Sequence, residues 1–327
     1  MKNLLIRAHA GPLVQKQKIE LPKKKKRILI LSGPTAVGKT QLALDLAKKL
    51  DGEIISCDAM QVYKEINIAS AKPSTKELKN IKHHCLNLVS VTEDFDVAKF
   101  RKFALDAIEA IHKKGKIPIV VGGSGMYMSV LLDGIFEQAA KNDALREKLE
   151  RQIKKEGTAV LYERLKNLDP QAAVKIHVND AKRIVRALEV MGTTQKPISH
   201  LQQKRQGLWG QYEIKIFGLE RPRTQLYSRV EERIEQMFEH GLVEEIKKIS
   251  KKTLSPTAKT LIGVPEVQGY LQEEYDLAQA KYLMKLHTRH YVKRQMTWFR
   301  RDKRIEWVQV KESTEELVEI IMKELAH

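Results

Sequence analysis

Residues 28–42 read Ile28-Leu29-Ile30-Leu31-Ser32-Gly33-Pro34-Thr35-Ala36-Val37-Gly38-Lys39-Thr40-Gln41-Leu42, and this stretch decides the fold. Four consecutive aliphatic residues predict a short buried strand that runs straight into Gly33. Beyond Thr40, the spacing of Leu42, Leu44, Leu46, Ala47 and Leu50 predicts a helix. Between them, Gly33 to Thr40 matches GxxxxGK[ST], in the strand–loop–helix context that gives the motif its meaning. Such a loop wraps a diphosphate with backbone N–H groups. Lys39 offsets charge on the phosphates, and the Thr40 hydroxyl can ligate Mg²⁺. The loop accepts any suitably spaced diphosphate, so it leaves the reaction open.

Working outward, Glu53-Ile54-Ile55-Ser56 predicts a second strand ending at Asp58, and Ile117-Pro118-Ile119-Val120-Val121 a third ending at Gly122-Gly123. Strands alternating with helices such as 97–113 imply a parallel sheet with its functional groups at the strands' carboxyl ends. From 138 to 204 the apolar spacing is wholly helical, through Leu145, Leu149, Ile153, Leu161, Leu165, Ile184, Val185 and Leu188. Ile214-Lys215-Ile216-Phe217 then reopens the strand pattern, and long helices are predicted over 223–251 and 276–301. The expected fold is α/β, a P-loop NTPase-like parallel sheet flanked by helices with an all-helical insertion. Its parts are a basic flexible arm at 1–27, a catalytic core at 28–137 and 205–327, and the insertion at 138–204.

The chain of 327 residues carries a net charge of +18, unevenly spread. Residues 1–27 hold nine basic residues and one acidic, and 281–304 another nine and one, so the remaining body is nearly neutral. Two concentrated basic segments on a neutral body are the pattern expected for a polyanionic partner. No run reaches the ~18 to 20 apolar residues of a membrane span, so a soluble cytoplasmic monomer with no membrane partner is expected. Cys57 and Cys85 read as reduced core thiols, and adjacent His83 and His84 point to opposite faces of an extended segment, which disfavours a metal site.

Several residues could carry chemistry. Asp58 fits a Mg²⁺ ligand, a general base or a strand-end turn residue equally, and Gln61 and Tyr63 beyond it suit a planar base. In Gly122-Gly123-Ser124-Gly125-Met126-Tyr127 the serine is either a helix cap or a ligand. Arg223, Arg229 and Arg233 lie along one predicted helix, where Glu231, Glu232 and Glu235 could neutralise them. Between Thr288 and Arg301 basic and aromatic residues alternate with no acidic residue until Asp302, which favours phosphate contacts. Lys182, Arg183 and Arg186 add a weaker basic patch.

Taken together, these strings resemble the tRNA dimethylallyltransferases, the isopentenyl-transfer family. The matching segments are 33–40, 58–63 with Ala71-Lys72-Pro73, His83-His84, 122–127, Asn179-Asp180 with 183–189, Lys196-Pro197-Ile198-Ser199, Gly241-Leu242-Val243-Glu244-Glu245 and 288–300. They span nearly everything but the basic arm. The resemblance implies transfer of a dimethylallyl group from dimethylallyl diphosphate to N6 of adenine 37, beside the anticodon of tRNAs that read codons beginning with U. It implies that Gly33, Pro34, Thr35, Ala36, Val37, Gly38, Lys39 and Thr40 hold the donor diphosphate, with Mg²⁺ on Thr40 and catalytic roles for Asp58 (the general base), Thr40 and Arg233. It further implies contact with the tRNA anticodon stem-loop through Asp58, Ala59, Met60, Gln61, Ser124, Arg146, Lys182, Arg183, Arg186, Lys293, Arg294, Gln295, Trp298 and Arg300. The chain departs from the family pattern at Ala59-Met60 (usually Ser-Arg), at Ser124 (usually Thr) and at Val264-Pro265 (usually an aromatic-basic pair). An adenylate isopentenyltransferase using a free nucleotide and a P-loop small-molecule kinase are the competing readings; the basic segment at 289–301 and the helical insertion favour a macromolecular acceptor.

Overall fold

The computed structural model describes residues 26–136, 142–310 and 313–326. Its centre is a six-stranded, all-parallel sheet formed by β1 (Arg27–Ser32), β2 (Gly52–Ser56), β3 (His83–His84), β4 (Ile117–Gly122), β5 (Glu213–Glu220) and β6 (Ile305–Gln309), in the order β3-β2-β4-β1-β5-β6. β1 lies at the middle of the sheet, paired on both edges by β4 and β5, and Ile28 to Leu31 are fully buried on both of its faces. The helices α1 (Lys39–Lys49), α2 (Thr75–Asn80), α3 (Val97–Lys113) and α4 (Gly125–Asp133) belong to the first half of the core. Ser32 pairs with Gly122 on one side and Gly218 on the other, and Ser56 with Val121. The phosphate loop, Asp58, the Gly122-Gly123 turn and the end of β5 therefore share one sheet edge.

Helices α5 (Asp143–Glu156), α6 (Thr158–Leu168), α7 (Pro170–Lys175), α8 (Ala181–Thr194) and α9 (Ile198–Gln203) lie between α4 and β5 and enclose a hydrophobic cluster of their own around Leu149, Leu161, Leu165, Ile184 and Leu188. The returning chain rejoins the core where the Leu208 and Trp209 amides donate to Leu131 O and Leu132 O, both at 3.0 Å. After β5 come α10 (Arg223–Glu239), α11 (Leu242–Ile249), the short 3-10 turn Ala258–Thr260, α12 (Val264–Leu271), α13 (Leu277–Phe299) and, after β6, α14 (Thr314–Ala326). Among the described residues no helix is long and apolar enough to cross a membrane.

Four expectations change. Residues 1–25 of the basic arm lie outside the described residues, but Arg27 is the first residue of β1, ion-paired to Glu213 at 2.5 Å and donating to Leu325 O at 2.9 Å. The helix expected over 223–251 is two helices, broken at Gly241, which takes φ 94°. Strands β3 and β6 were not anticipated. His83 and His84 form the short edge strand, where His84 Nε2 meets the buried Glu53 carboxylate at 2.8 Å and Lys114 pairs with the same carboxylate.

Candidate active site

The phosphate-loop side of the edge is built mostly from backbone. Gly33 leaves β1 at φ 138°, and a Cβ there would stand 2.7 Å from Leu219 O, so only glycine lets the loop turn off the sheet edge. Helix α1 has no acidic residue in its first turn, which leaves its positive end free for an anion. Lys39 Nζ folds back onto Gly33 O (2.9 Å) and Pro34 O (2.6 Å). Its pKa is lowered to about 7, chiefly by burial; Asp58 pulls it back up and Arg233 pushes it further down.

Three arginines grip successive loop residues. Arg233 Nη1 donates to Thr35 Oγ1 (3.2 Å), Arg229 Nε to Ala36 O (2.9 Å) and Arg221 Nε to Val37 O (3.0 Å). Because a trans peptide is planar, holding the Ala36 and Val37 carbonyls on one side turns the Val37 and Gly38 amides to the other. Glu231 and Glu235 do not neutralise this face. They pair across to α13, Glu231 with Arg289 (3.1 Å) and Glu235 with Lys281 and Lys285 (2.6 Å each). Arg221 is not among the expected site residues; its place immediately after β5, at a strand's carboxyl end, is the signal for it in the sequence.

At the end of β2, Asp58 makes the turn that one of its three readings expects. Its Oδ1 accepts from the Met60 amide (2.8 Å) and, more weakly, from Gln61 (3.4 Å), the local turn that strand-end aspartates make. Its Oδ2 accepts no hydrogen bond from the described residues, and the carboxylate faces Lys39 and Arg233 closely enough to shift both. Ser124 does not cap its own helix; its hydroxyl accepts from the Ala59 amide at 3.0 Å and ties the turn after β4 to the Asp58 loop. Tyr291 of α13 also faces this cluster and was not singled out from the sequence. Burial pushes its phenol up, Asp58 adds to the shift, and Ser124 and Gln295 oppose it.

The segment after Asp58 is held at several points. Gln61 Oε1 accepts from Ser56 Oγ (2.8 Å), while its Nε2 donates to Ser70 O and Ala71 O (3.3 Å each). The Glu245 carboxylate accepts three consecutive amides, Asn67 (2.8 Å), Ile68 (2.9 Å) and Ala69 (2.9 Å). Lys72 donates to Tyr63 O and to Asn87 Oδ1 (2.6 Å). Gln61 thus serves as an internal latch, its amide already engaged at both ends.

Residues expected on RNA separate into two groups. Lys293 and Arg294 on α13 and Arg300 at its end are exposed, as are Lys182 and Arg183 on α8. Gln295 is buried and Trp298 half-buried against Gly125. Arg146 and Arg186 converge from α5 and α8 on the fully buried Glu189 carboxylate at 2.8 and 2.9 Å. The expectation that the C-terminal basic residues lack acidic partners also needs correction: besides Arg289, Arg300 approaches Glu220 at 3.7 Å, and Asp302 is taken by Arg304 at 2.7 Å. Glu231 and Glu220 come from α10 and β5, distant in sequence.

A parallel sheet whose carboxyl edge carries a phosphate loop, converging arginines and a carboxylate defines a phosphate-loop α/β protein. The profile of the family described as IPP transferase matches residues 61–302. The chain is 42% identical over 301 residues to the tRNA dimethylallyltransferase of Carboxydothermus hydrogenoformans, covering 91% of this chain and 97% of that one. It is 40% identical over 283 residues to that of Halothermothrix orenii, covering 86% of each. Among solved structures it superposes on the full-length tRNA isopentenylpyrophosphate transferase from Bacillus halodurans with a TM-score of 0.66 at 33% identity, covering 93% of this chain and 97% of that one. A eukaryotic dimethylallyltransferase acting on tRNA gives a TM-score of 0.74 at 30% identity, covering 88% of this chain and 74% of that one. The chain belongs to the IPP transferase family.

Proposed function

We propose that this protein transfers a dimethylallyl group from dimethylallyl diphosphate to the N6 amine of the adenine beside the anticodon of a tRNA, adenine 37, giving N6-(dimethylallyl)adenosine. The observation that carries the reading is the meeting, on one sheet edge, of an amide-lined loop backed by three arginines with Asp58, under a helix whose outer face bears Lys293 and Arg294.

An exocyclic amine is a poor nucleophile because its lone pair is delocalised into the ring. As the N6–C1 bond forms, the C1–O bond breaks with its electron pair passing to the diphosphate, and N6 gives up a proton. Asp58 Oδ2 accepts that proton, while Oδ1 stays fixed by the Met60 amide. Charge developing on the departing diphosphate is met by the loop amides, Lys39 and Arg233. A stacked base does not reach this edge, so the adenine is flipped out of the anticodon loop.

Among the described residues no three His, Cys, Asp or Glu side chains converge as a protein cage for a metal. The donor set fits Mg²⁺ all the same, because this ion prefers hard oxygens and is commonly shared between one or two protein oxygens and a substrate phosphate. The exposed Thr40 hydroxyl would hold it, and bound Mg²⁺ would supply charge neutralisation on the diphosphate.

The test is nucleoside mass analysis after incubating the protein and dimethylallyl diphosphate with an anticodon stem-loop or with free AMP. Prenylated adenosine from the stem-loop and none from AMP is the expected result. Equal modification of AMP would replace this reading with an adenylate enzyme.

A further inference from the structure

The basic residues of helix α13 predict an RNA-facing surface, yet its Gln295 faces inward. The side chain is 5% exposed. Its Oε1 accepts from the Thr35 amide of the phosphate loop at 3.0 Å, and its Nε2 donates to Gly123 O, in the turn after β4, at 2.9 Å. The partners fix which end is which, since one is an N–H and the other a carbonyl. The same Pro34–Thr35 peptide is gripped at its other end, where Pro34 O accepts from Lys39 Nζ.

From this juxtaposition we infer that Gln295 is a positioning residue for the donor site: it orients the Pro34–Thr35 peptide of the phosphate loop and couples that loop to the helix that presents Lys293 and Arg294. The inference rests on the proposed prenyl transfer. Gly123 and Gly125 explain how the helix comes so close. A Cβ on Gly123 would collide with Gln295 Nε2, and one on Gly125 with the Trp298 indole, so the two glycines form the notch in which α13 lies. With both amide ends engaged and the side chain buried, Gln295 is poorly placed to meet a base or phosphate. Its work is to hold Thr35, and thereby the Thr35 hydroxyl that Arg233 reaches at 3.2 Å, in register with Asp58. Movement of α13 on binding RNA would be felt directly at the loop.

The experiment uses two variants of the full chain that attack the same contact from opposite sides, Gln295→Leu and Gly123→Ala. For each, binding of inorganic pyrophosphate is measured by calorimetry, binding of an anticodon stem-loop is measured without donor, and kcat and KM are determined for each substrate. Losing a buried hydrogen bond of this kind is expected to weaken pyrophosphate binding about tenfold and raise the donor KM accordingly. Stem-loop affinity should stay within about twofold, the scatter of a surface-neutral change. Thermal unfolding of the free protein accompanies each measurement, and Gly123→Ala decides the matter if Gln295→Leu does not fold. The proposal is overturned if either folded variant keeps native pyrophosphate affinity, or if stem-loop affinity falls while donor KM does not. A native protein that binds pyrophosphate and prenylates the stem-loop keeps the functional reading even then; one that does neither removes that reading itself.

Discussion

The sheet edge and the helical insertion both gather arginines, and they treat them in opposite ways. At the sheet edge Arg221, Arg229 and Arg233 donate to a loop hydroxyl and two carbonyls, and among the described residues none of the three forms a salt bridge. In the insertion Arg146 and Arg186 close on Glu189, which is fully buried and also accepts the Asn142 amide at 2.9 Å. One region leaves its guanidinium groups without a salt bridge beside the phosphate loop, with Asp58 the nearby carboxylate. The other neutralises its positive charge internally to hold two helices together. A count of basic residues cannot distinguish these cases; only the carboxylate's position does.

The largest effect is expected where this contrast is sharpest, at the one carboxylate facing the sheet-edge cations. Asp58→Asn keeps an oxygen for the Met60 amide but removes the proton acceptor. Turnover should fall by about 10² to 10⁴, the usual cost of losing a general base, with pyrophosphate binding retained or improved. Single-turnover prenyl transfer to a stem-loop checks this. Near-native rates would reduce Asp58 to a turn residue and leave the edge without a base.

In the insertion the matching perturbation is Arg146→Ala combined with Arg186→Ala. It strands a buried carboxylate, and the expected loss is about 3–5 kcal/mol, read from urea unfolding of the insertion. Adding Glu189→Gln to the double variant should recover much of that loss. If stability is unchanged and only stem-loop affinity falls, the two arginines are RNA ligands, and the contrast between the regions disappears.

How much of this was legible depended on what a residue's neighbours in sequence reveal. Strands β1, β2, β4 and β5 announce themselves as aliphatic runs, and the phosphate loop by its glycine and lysine spacing. Strand β3 is two histidines recruited by pairing with Ile54 and Ile55, and β6 follows a charged run that masks it. The break at Gly241 was hidden because the apolar spacing continues in α11. Gln295 could have been found: it stands three residues after Val292 and four before Phe299, on the buried stripe of α13. Its composition, between Arg294 and Met296, suggested a polar surface instead. The partners of Arg146 and Arg300 were beyond reach, since each is chosen by tertiary packing.

A smaller effect separates α13 from the insertion as RNA surfaces. Lys293 and Arg294 are exposed with no carboxylate partner among the described residues; Arg294 lies over the Tyr291 ring at 5.6 Å. Replacing both with alanine should make the log–log salt dependence of stem-loop binding shallower by up to about two units, one per phosphate contact. The Arg146→Ala, Arg186→Ala protein, where folded, should keep its slope. The reverse pattern would move the electrostatic footprint into the insertion.

The smallest effect is a fraction of a proton, and it concerns how the sheet edge tolerates its positive charge before a ligand arrives. Lys39 is held at about 7 by burial, with Arg233 adding to the depression, so near pH 8 most of the free protein carries it neutral. A diphosphate beside Nζ restores the ammonium and raises its pKa toward the ordinary lysine value. Donor binding between about pH 7 and 10.5 should therefore take up as much as one proton at Lys39. The sign for folding follows from the same shift. The unfolded chain binds the extra proton across this window, so the penalty for burying a charged Lys39 is complete below pH 7 and is relieved as pH rises towards 10.5. Calorimetry of pyrophosphate binding at pH 8, in two buffers of different ionisation enthalpy, reads the uptake directly. Pyrophosphate brings its own titration, so the quantity to compare is native protein minus Lys39→Arg, which stays charged throughout and cancels the ligand's contribution. A positive difference below one proton is expected. A difference of zero would mean that Lys39 is already charged in the free site, and that the loop carbonyls of Gly33 and Pro34 suffice to hold an ammonium there beside Arg233.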